Sequence, residues 1–245
     1  MSIGEDILDA EIDAAAALVR SILPVGVESL LQHGLAVKPE TLKKSGYESL
    51  FPGVAGHVVT STSSEPLWVI PPALCFHVFE TLSSSQLQTA DQSVFGLDGW
   101  CFRREAVTSS VRRPFYRVCE TVYFGSAKSC SDWLDACATA ILRSMPSRLQ
   151  FEIVPASDSF GGGREAQILE YLQRWSDAKR EVVCKVANGV ALGSLNFHGT
   201  KFTRAFAISG PNGEELHSAC VGFGLERLAL ALRFPTKAGG GASSN

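Results

Sequence analysis

Two arginines stand in settings suited to phosphate chemistry. Arg227 closes a Gly-x-Gly-x-x-Arg run, Gly222-Phe-Gly-Leu-Glu-Arg227, and Arg103 sits within Phe102-Arg-Arg-Glu105. A guanidinium is a planar fork of donors that matches phosphate oxygens. In 217–224 the two-residue period of a strand places Cys220, Gly222 and Gly224 on one side. Glycines in a strand leave that side bare and mark a surface that something approaches closely. The run is not a P-loop, having no Gly-Lys-Ser/Thr, nor a complete Gly-x-Gly-x-x-Gly. Phe-Arg-x-Glu alone fits an ordinary charged hairpin equally well.

The elements that must position these residues follow from periodicity. Residues 217–224 read as a strand and 225–232 as a helix with Arg227 in its first turn. Residues 99–105 and 115–124 read as two strands joined by a basic loop that includes Arg112, Arg113 and Pro114, hence a hairpin. Within it Arg103 and Glu105 point one way, Phe102 and Arg104 the other, and Tyr116, Val118 and Glu120 share a face. One hairpin face would then offer a guanidinium, two carboxylates and a ring able to stack on a purine.

Upstream, helical spacing over 5–34 is broken at Pro24, with a second short helix at 27–33 and another at 39–45. A turn at Phe51-Pro-Gly53 and a strand over 54–60 precede a helix over 73–82, opened by Pro71-Pro72. Downstream come a helix over 126–145 with Trp133, Leu134, Cys137, Ile141 and Leu142 on one face, and a strand over 151–154. A loop over 157–163, a helix over 165–175 and strands over 181–187, 191–198 and 202–209 follow. Turns fall at Asn188-Gly189, Gly199 and Pro211-Asn-Gly213. Residues 1–236 read as a single domain and the Gly/Ser-rich 237–245 as a disordered tail. Helices first, then mostly antiparallel strands with helices between them, is an α+β pattern.

Composition narrows the function classes. The chain has 245 residues, 45% hydrophobic and 19% charged, enough for a sizeable core. A formal net charge of −3 argues against broad nucleic-acid binding. No apolar run is long enough to span a bilayer, and the acidic start has no basic n-region of a secretory signal. Seven cysteines, an odd number with no Cys-x-x-Cys spacing, argue against a disulfide framework and for a cytoplasmic location. Most are expected to be small buried hydrophobes, with one or two left as possible metal ligands.

The order of features resembles motifs 2 and 3 of the class II aminoacyl-tRNA synthetase catalytic domain. That order is a hairpin with Phe-Arg-x-Glu, a basic loop, an aromatic four residues before a glutamate (Tyr116, Glu120), then strand, Gly-x-Gly and an Arg-bearing helix. Within class II the chain is most similar to the seryl branch, and more closely to the stand-alone amino acid:[carrier protein] ligases, relatives of the atypical archaeal seryl enzymes. The resemblance is carried by Ser45–Pro52, Pro72–Cys75, Cys101–Gly125, Ser194–His198 with 217–232, and the Asp158-Ser-Phe-Gly161 turn.

The resemblance implies an antiparallel sheet flanked by helices, a homodimer, and ATP bound in a bent form. It places Arg103 on the α-phosphate, Glu105 on the adenine or amino-acid side, Tyr116 against adenine and Arg227 on the γ-phosphate. It also implies one Zn²⁺ held by Cys75, Glu120 and Cys220, with a fourth tetrahedral position open to the substrate amine. Glu215 is a candidate Mg²⁺ ligand. Two departures stand out: Cys119 replaces the family's Arg, and Asn196-Phe-His198-Gly-Thr200-Lys201-Phe202 replaces Asn-x-His-x-Asp-His-Phe. His198 fits a functional or a structural role equally.

The activity implied is a two-step ligation. ATP activates a small amino acid, glycine or alanine, as the aminoacyl-adenylate, and the phosphopantetheine thiol of a carrier protein takes the aminoacyl group. A tRNA-charging enzyme is disfavoured because 245 residues leave no coiled-coil arm or anticodon-binding domain. A non-catalytic paralogue that binds a nucleotide or partner is the remaining alternative.

Overall fold

The computed structural model describes residues 8–23, 31–50, 55–58, 67–88, 93–104, 113–156, 178–185 and 190–233. Glu105, residues 27–30 of the expected second short helix, the 51–53 turn, the Asn188-Gly189 turn, the 157–163 loop with its Asp158-Ser-Phe-Gly161 turn, the 165–175 helix and the 237–245 tail lie outside them. Residues 31–33, expected to continue that second helix, are not helical, and the Leu31 amide donates instead to the Gly96 carbonyl. The first elements are α1 (Asp9–Ile22), α2 (Pro39–Ser45), α3 (Tyr47–Leu50), β1 (Gly56–Val58), β2 (Trp68–Ile70) and α4 (Cys75–Thr81). Then come β3 (Ser93–Phe102), β4 (Phe115–Gly125), α5 (Ala127–Ser144), β5 (Phe151–Pro155), β6 (Lys179–Cys184) and β7 (Val190–Gly199). The last are α6 (Lys201–Ala205), β8 (His217–Gly224) and α7 (Leu225–Leu232).

Local chemistry explains several boundaries. Pro39 opens α2, where a missing amide costs no helix hydrogen bond, and Gly46 ends it in the left-handed region at φ 71°. Ser126 caps α5 by accepting from the Ser129 amide. Helix α4 starts at Cys75, later than Pro71-Pro72 predicts, with Leu74 as its N-cap.

Strands β3, β4, β8, β7, β6 and β5 form one antiparallel sheet in that order. Its two faces are covered by different elements. Cys119, Tyr123, Val182, Leu195, Ala219, Val221 and Phe223 turn toward the buried faces of α1, α5 and α7. On α1 those are Ile12, Ala15, Ala16, Val19 and Ile22; on α5, Cys130, Leu134, Cys137, Ala138 and Ile141. Leu142, expected on that face, is exposed. Leu97, Cys101, Val118, Val122, Phe124 and Cys220 face the other way, against Leu74, Cys75, Val78 and Phe79 of the α4 region and Phe206 after α6. All seven cysteines are buried free thiols.

Two predicted strands are corrected. The first hairpin strand starts at Ser93 and ends at Phe102, so Arg103 follows it. Gly96, Asp98 and Gly99 disguise its start as a turn. The ladder continues one bond further, from the Arg103 amide to the Pro114 carbonyl. Residues 202–209 are no strand: α6 occupies Lys201–Ala205. Phe202 and Phe206 satisfy a two-residue period, but they are also one helical turn apart. The helix wins because both rings pack on Phe79, with centroids at 4.8 and 5.7 Å. Gly199, at φ 60°, reverses the chain before it, and the Thr203 hydroxyl donates to the Leu216 carbonyl.

Strands β7 and β8 approach closely at Gly193. A Cβ there would lie 2.5 Å from the Gly222 carbonyl oxygen and 2.8 Å from the Phe223 ring. Gly193→Ala is expected to destabilise the fold by about 1–3 kcal/mol, because backbone cannot yield as a side chain does. A urea midpoint unchanged by the substitution would contradict this account of the β7–β8 contact.

Candidate active site

The β4–β8 register assembles the centre of the site. Glu120 pairs with Gly222, Val118 with Gly224 and Val122 with Cys220. All six residues therefore share the sheet face that meets α4. Cys75, the first residue of α4, arrives from above that face. The sulfurs of Cys75 and Cys220 and a carboxylate oxygen of Glu120 all lie within 4.8 Å of one another, and all three residues are buried. The Cys75 amide donates to Glu120 Oε2 at 3.0 Å.

Burial works against charge here. It raises the Glu120 pKa, while hydrogen bonds from Cys220 and from the Cys75 and Leu74 amides oppose the rise. The hydrogen bond between the thiols lowers the Cys75 pKa and raises that of Cys220. Burial and the charge of Glu120 nevertheless leave Cys75 at about 11 and Cys220 well above an ordinary thiol. A divalent cation would reverse these preferences, since two thiolates and a carboxylate would then surround a positive charge.

Gly222 lies directly beneath the Glu120 side chain. A Cβ at this position would lie 3.4 Å from Glu120 Cγ. The other nucleotide-site candidates gather toward the same end of β8. Arg227 sits in the first turn of α7, directly after Gly224, and its guanidinium donates to the Ala191 carbonyl at 3.0 Å. Tyr116 and Arg103 both reach the Pro72 carbonyl, at 3.0 and 3.4 Å, so they lie on one side of the hairpin. Burial pushes the Tyr116 phenol above its ordinary pKa. Glu215 does not join this group: it precedes β8, at the strand's opposite end, and pairs with Arg204.

The departures lie apart: Thr200 precedes α6 and Lys201 is its first residue. Cys119 points into the helix-side core, where burial pushes its thiol to about 12. His198 packs edge-on against Phe79 and Phe202, with Nδ1 3.1 Å from Ser218 Oγ. It is half-buried among these rings. Asn196 belongs to the site: its amide reaches Cys220 Sγ at 3.3 Å.

Further positioning groups escaped the sequence reading. Glu226 is buried, and both its oxygens accept from the Arg117 amide, at 2.9 and 3.1 Å. That amide lies one residue beyond the last β4–β8 pair, where β8 has left the sheet to become α7. The carboxylate takes the place of the departed strand and ties the Arg227 helix to the Arg103 hairpin. The Arg117 guanidinium grips Asp98 and Asp13, and Arg20 also holds Asp98, fastening α1 beneath the same hairpin. In sequence, Glu226 is no different from any acid in a first helical turn. The Arg–Asp pairs join residues 19, 78 and 104 positions apart along the chain, and no local pattern exposes them.

Comparison with known proteins places this geometry. The chain is 29% identical over 250 residues to amino acid--[acyl-carrier-protein] ligase 1 of Bradyrhizobium diazoefficiens, covering 90% of this chain and 75% of that protein. It is 29% identical over 219 residues to ligase 2 of the same organism, covering 78% and 65%. The chain is similar to the amino acid:[carrier protein] ligases and has the class II synthetase fold. No protein-family model matches it. Methanopyrus kandleri seryl-tRNA synthetase, solved with Aquifex aeolicus tRNASec, superposes with a TM-score of 0.69 at 18% identity over 91% of this chain. Pyrococcus horikoshii seryl-tRNA synthetase, solved with ATP, gives 0.68 at 11% identity over the same share. Giardia lamblia prolyl-tRNA synthetase, solved with prolyl-adenylate, gives 0.67 at 16%. The chain spans about half the length of these synthetases, 51%, 50% and 45%. No helix among the described residues is long and apolar enough to cross a membrane.

Two histidines make stability depend on acid. Burial, aided by Lys201, lowers the His198 pKa from 6.5 to about 3. The unfolded chain therefore binds a proton that the folded one refuses. Stability is fully present above pH 6.5 and declines as pH falls toward about 3. His198→Gln is expected to flatten that decline by on the order of a few kcal/mol across the window. Burial and His33 lower the His77 pKa to about 4, so part of the slope remains. Urea midpoints from pH 7 to 4 test this; equal slopes in the two proteins would refute the assignment.

Proposed function

We propose that this chain activates a small amino acid, glycine or alanine, with ATP and Mg²⁺ and passes it to the phosphopantetheine thiol of a carrier protein. The observation that carries the reading is the convergence of Cys75, Glu120 and Cys220 on the glycine-bared face beside Arg103, Tyr116 and Arg227. The names of the two Bradyrhizobium relatives support the acceptor. A homodimer follows from the class II reading.

The two sulfurs and one oxygen suit zinc, because three protein ligands leave a tetrahedral position open. Bound there, zinc would supply a Lewis-acidic anchor for the uncharged amino group of the substrate. The remaining work falls to the chain itself. An amino-acid carboxylate oxygen attacks the ATP α-phosphorus, and the bond to the bridging oxygen breaks to release pyrophosphate. Arg103 offsets charge at the α-phosphate and Arg227 at the γ-phosphate, so catalysis is positioning and electrostatics. The Ala191 and Pro72 carbonyls hold these guanidinia before substrate arrives. Tyr116 stacks on adenine. In the second step the carrier thiol sulfur attacks the adenylate carbonyl, and AMP leaves as the thioester forms. No nucleophilic side chain of this protein takes part.

ATP–pyrophosphate exchange across all amino acids, with Zn²⁺ and Mg²⁺ present, tests the first step. Exchange with glycine or alanine is expected, and Arg103→Ala or Arg227→Ala should each lower it by about 10²–10³-fold. Exchange with no amino acid would favour a non-catalytic binding protein. Mass analysis of a phosphopantetheinylated carrier beside tRNA then identifies the acceptor.

Metal content tests the centre separately. The purified chain is expected to hold stoichiometric zinc, and Cys75→Ser, Glu120→Ala and Cys220→Ser to lose most of it. Zinc retained by all three variants would remove the site from the mechanism.

A further inference from the structure

Asn196 lies opposite Cys220 in the β7–β8 register, on the site face of the sheet. Its side-chain nitrogen lies 3.3 Å from Cys220 Sγ and 3.1 Å from Ser194 Oγ. Ser194 is its neighbour two residues along the same face, opposite Gly222. The other face of the strand carries Leu195 and Phe197 into the helix-side core. The backbone ladder already joins the two strands, so the amide is not needed to hold them together. What it adds is a donor aimed at the sulfur.

We propose that Asn196 is a positioning residue for the metal centre, its amide N–H holding the Cys220 thiolate in its ligating direction while Ser194 orients the amide. The inference rests on the metal reading above. An ionised sulfur accepts hydrogen bonds and cannot donate them, so only the N–H end of the amide suits a ligating Cys220. A donor to a charged acceptor makes one of the stronger hydrogen bonds. It fixes the direction of the ligand lone pair and withdraws charge from the sulfur. Outer partners of this kind typically hold about 10- to 100-fold of a site's metal affinity. Ser194 completes a short chain, Ser194 to Asn196 to Cys220, that runs from the surface beside Gly222 to the ligand.

The test reads metal binding in the full chain, without turnover. Zn²⁺ is titrated in competition with a chromogenic chelator, and Co²⁺ loading reports the sulfur-to-metal charge-transfer band. Asn196→Leu keeps the volume and removes the donor; Asn196→Ala removes it without any risk of overpacking. Both are expected to bind one metal about 10- to 100-fold more weakly and to shift the Co²⁺ band. Ser194→Ala should move both readouts the same way by less. Thermal melting confirms that each variant is folded. Unchanged affinity and an unmoved band in both Asn196 variants would overturn the proposal while leaving the metal centre standing. A parent chain that binds no Zn²⁺ would overturn the metal reading, and this inference with it.

Discussion

A carboxylate buried at the centre of a sheet is the constraint around which the site is organised. Glu120 sits on β4 with almost no exposed surface, and an isolated charge there would be costly. The surrounding groups answer that cost. The start of α4 turns its first amide onto the carboxylate, and the Cys75 and Cys220 thiols close around it. Gly222, directly opposite, lies in van der Waals reach of the Glu120 side chain.

The opposite face does a different job. Its core is apolar, but its rim carries the Arg20–Asp98–Arg117–Asp13 chain and the Glu226–Arg117 contact. Individually, exposed ion pairs contribute little. Their value here is geometric: they bind α1 and α7 to the end of the hairpin that presents Arg103 and Tyr116. Arg103 and Arg227, from two sequence-distant motifs, are thereby kept in one frame. The sheet acts as a partition, with scaffolding polar groups on one side and chemistry on the other.

Legibility in the sequence varied with the range of the physics. The β8–α7 junction was readable almost to the residue, because a two-residue period with glycines gives way to a helical apolar period within one segment. Helix α2 was equally clear, framed by Pro39 and Gly46. The 202–209 segment misled, since Phe202 and Phe206 satisfy both periods and only the Phe79 surface decides between them. The early part of β3 was hidden by Gly96, Asp98 and Gly99, residues that signal turns until Arg20 and Arg117 supply the partners Asp98 needs. Cys119 stood as a departure at the site, and His198 fitted either of two roles. Alternation and packing put one in the helix-side core and the other among aromatic rings.

By itself the sequence determined which residues could carry chemistry and which way they face within their own strands, because side-chain alternation is a property of the local backbone. It also determined, through the order of its motifs, the family it resembles. The tertiary structure decided which of those residues meet. Cys75 and Glu120 are 45 residues apart, and Cys220 comes from a third segment. The register of β4 against β8, chosen so that both faces of the sheet are buried at once, brings them within reach. Only that pairing turns a lone cysteine beside two glycines into part of a buried centre, and gives Asn196 a sulfur to face.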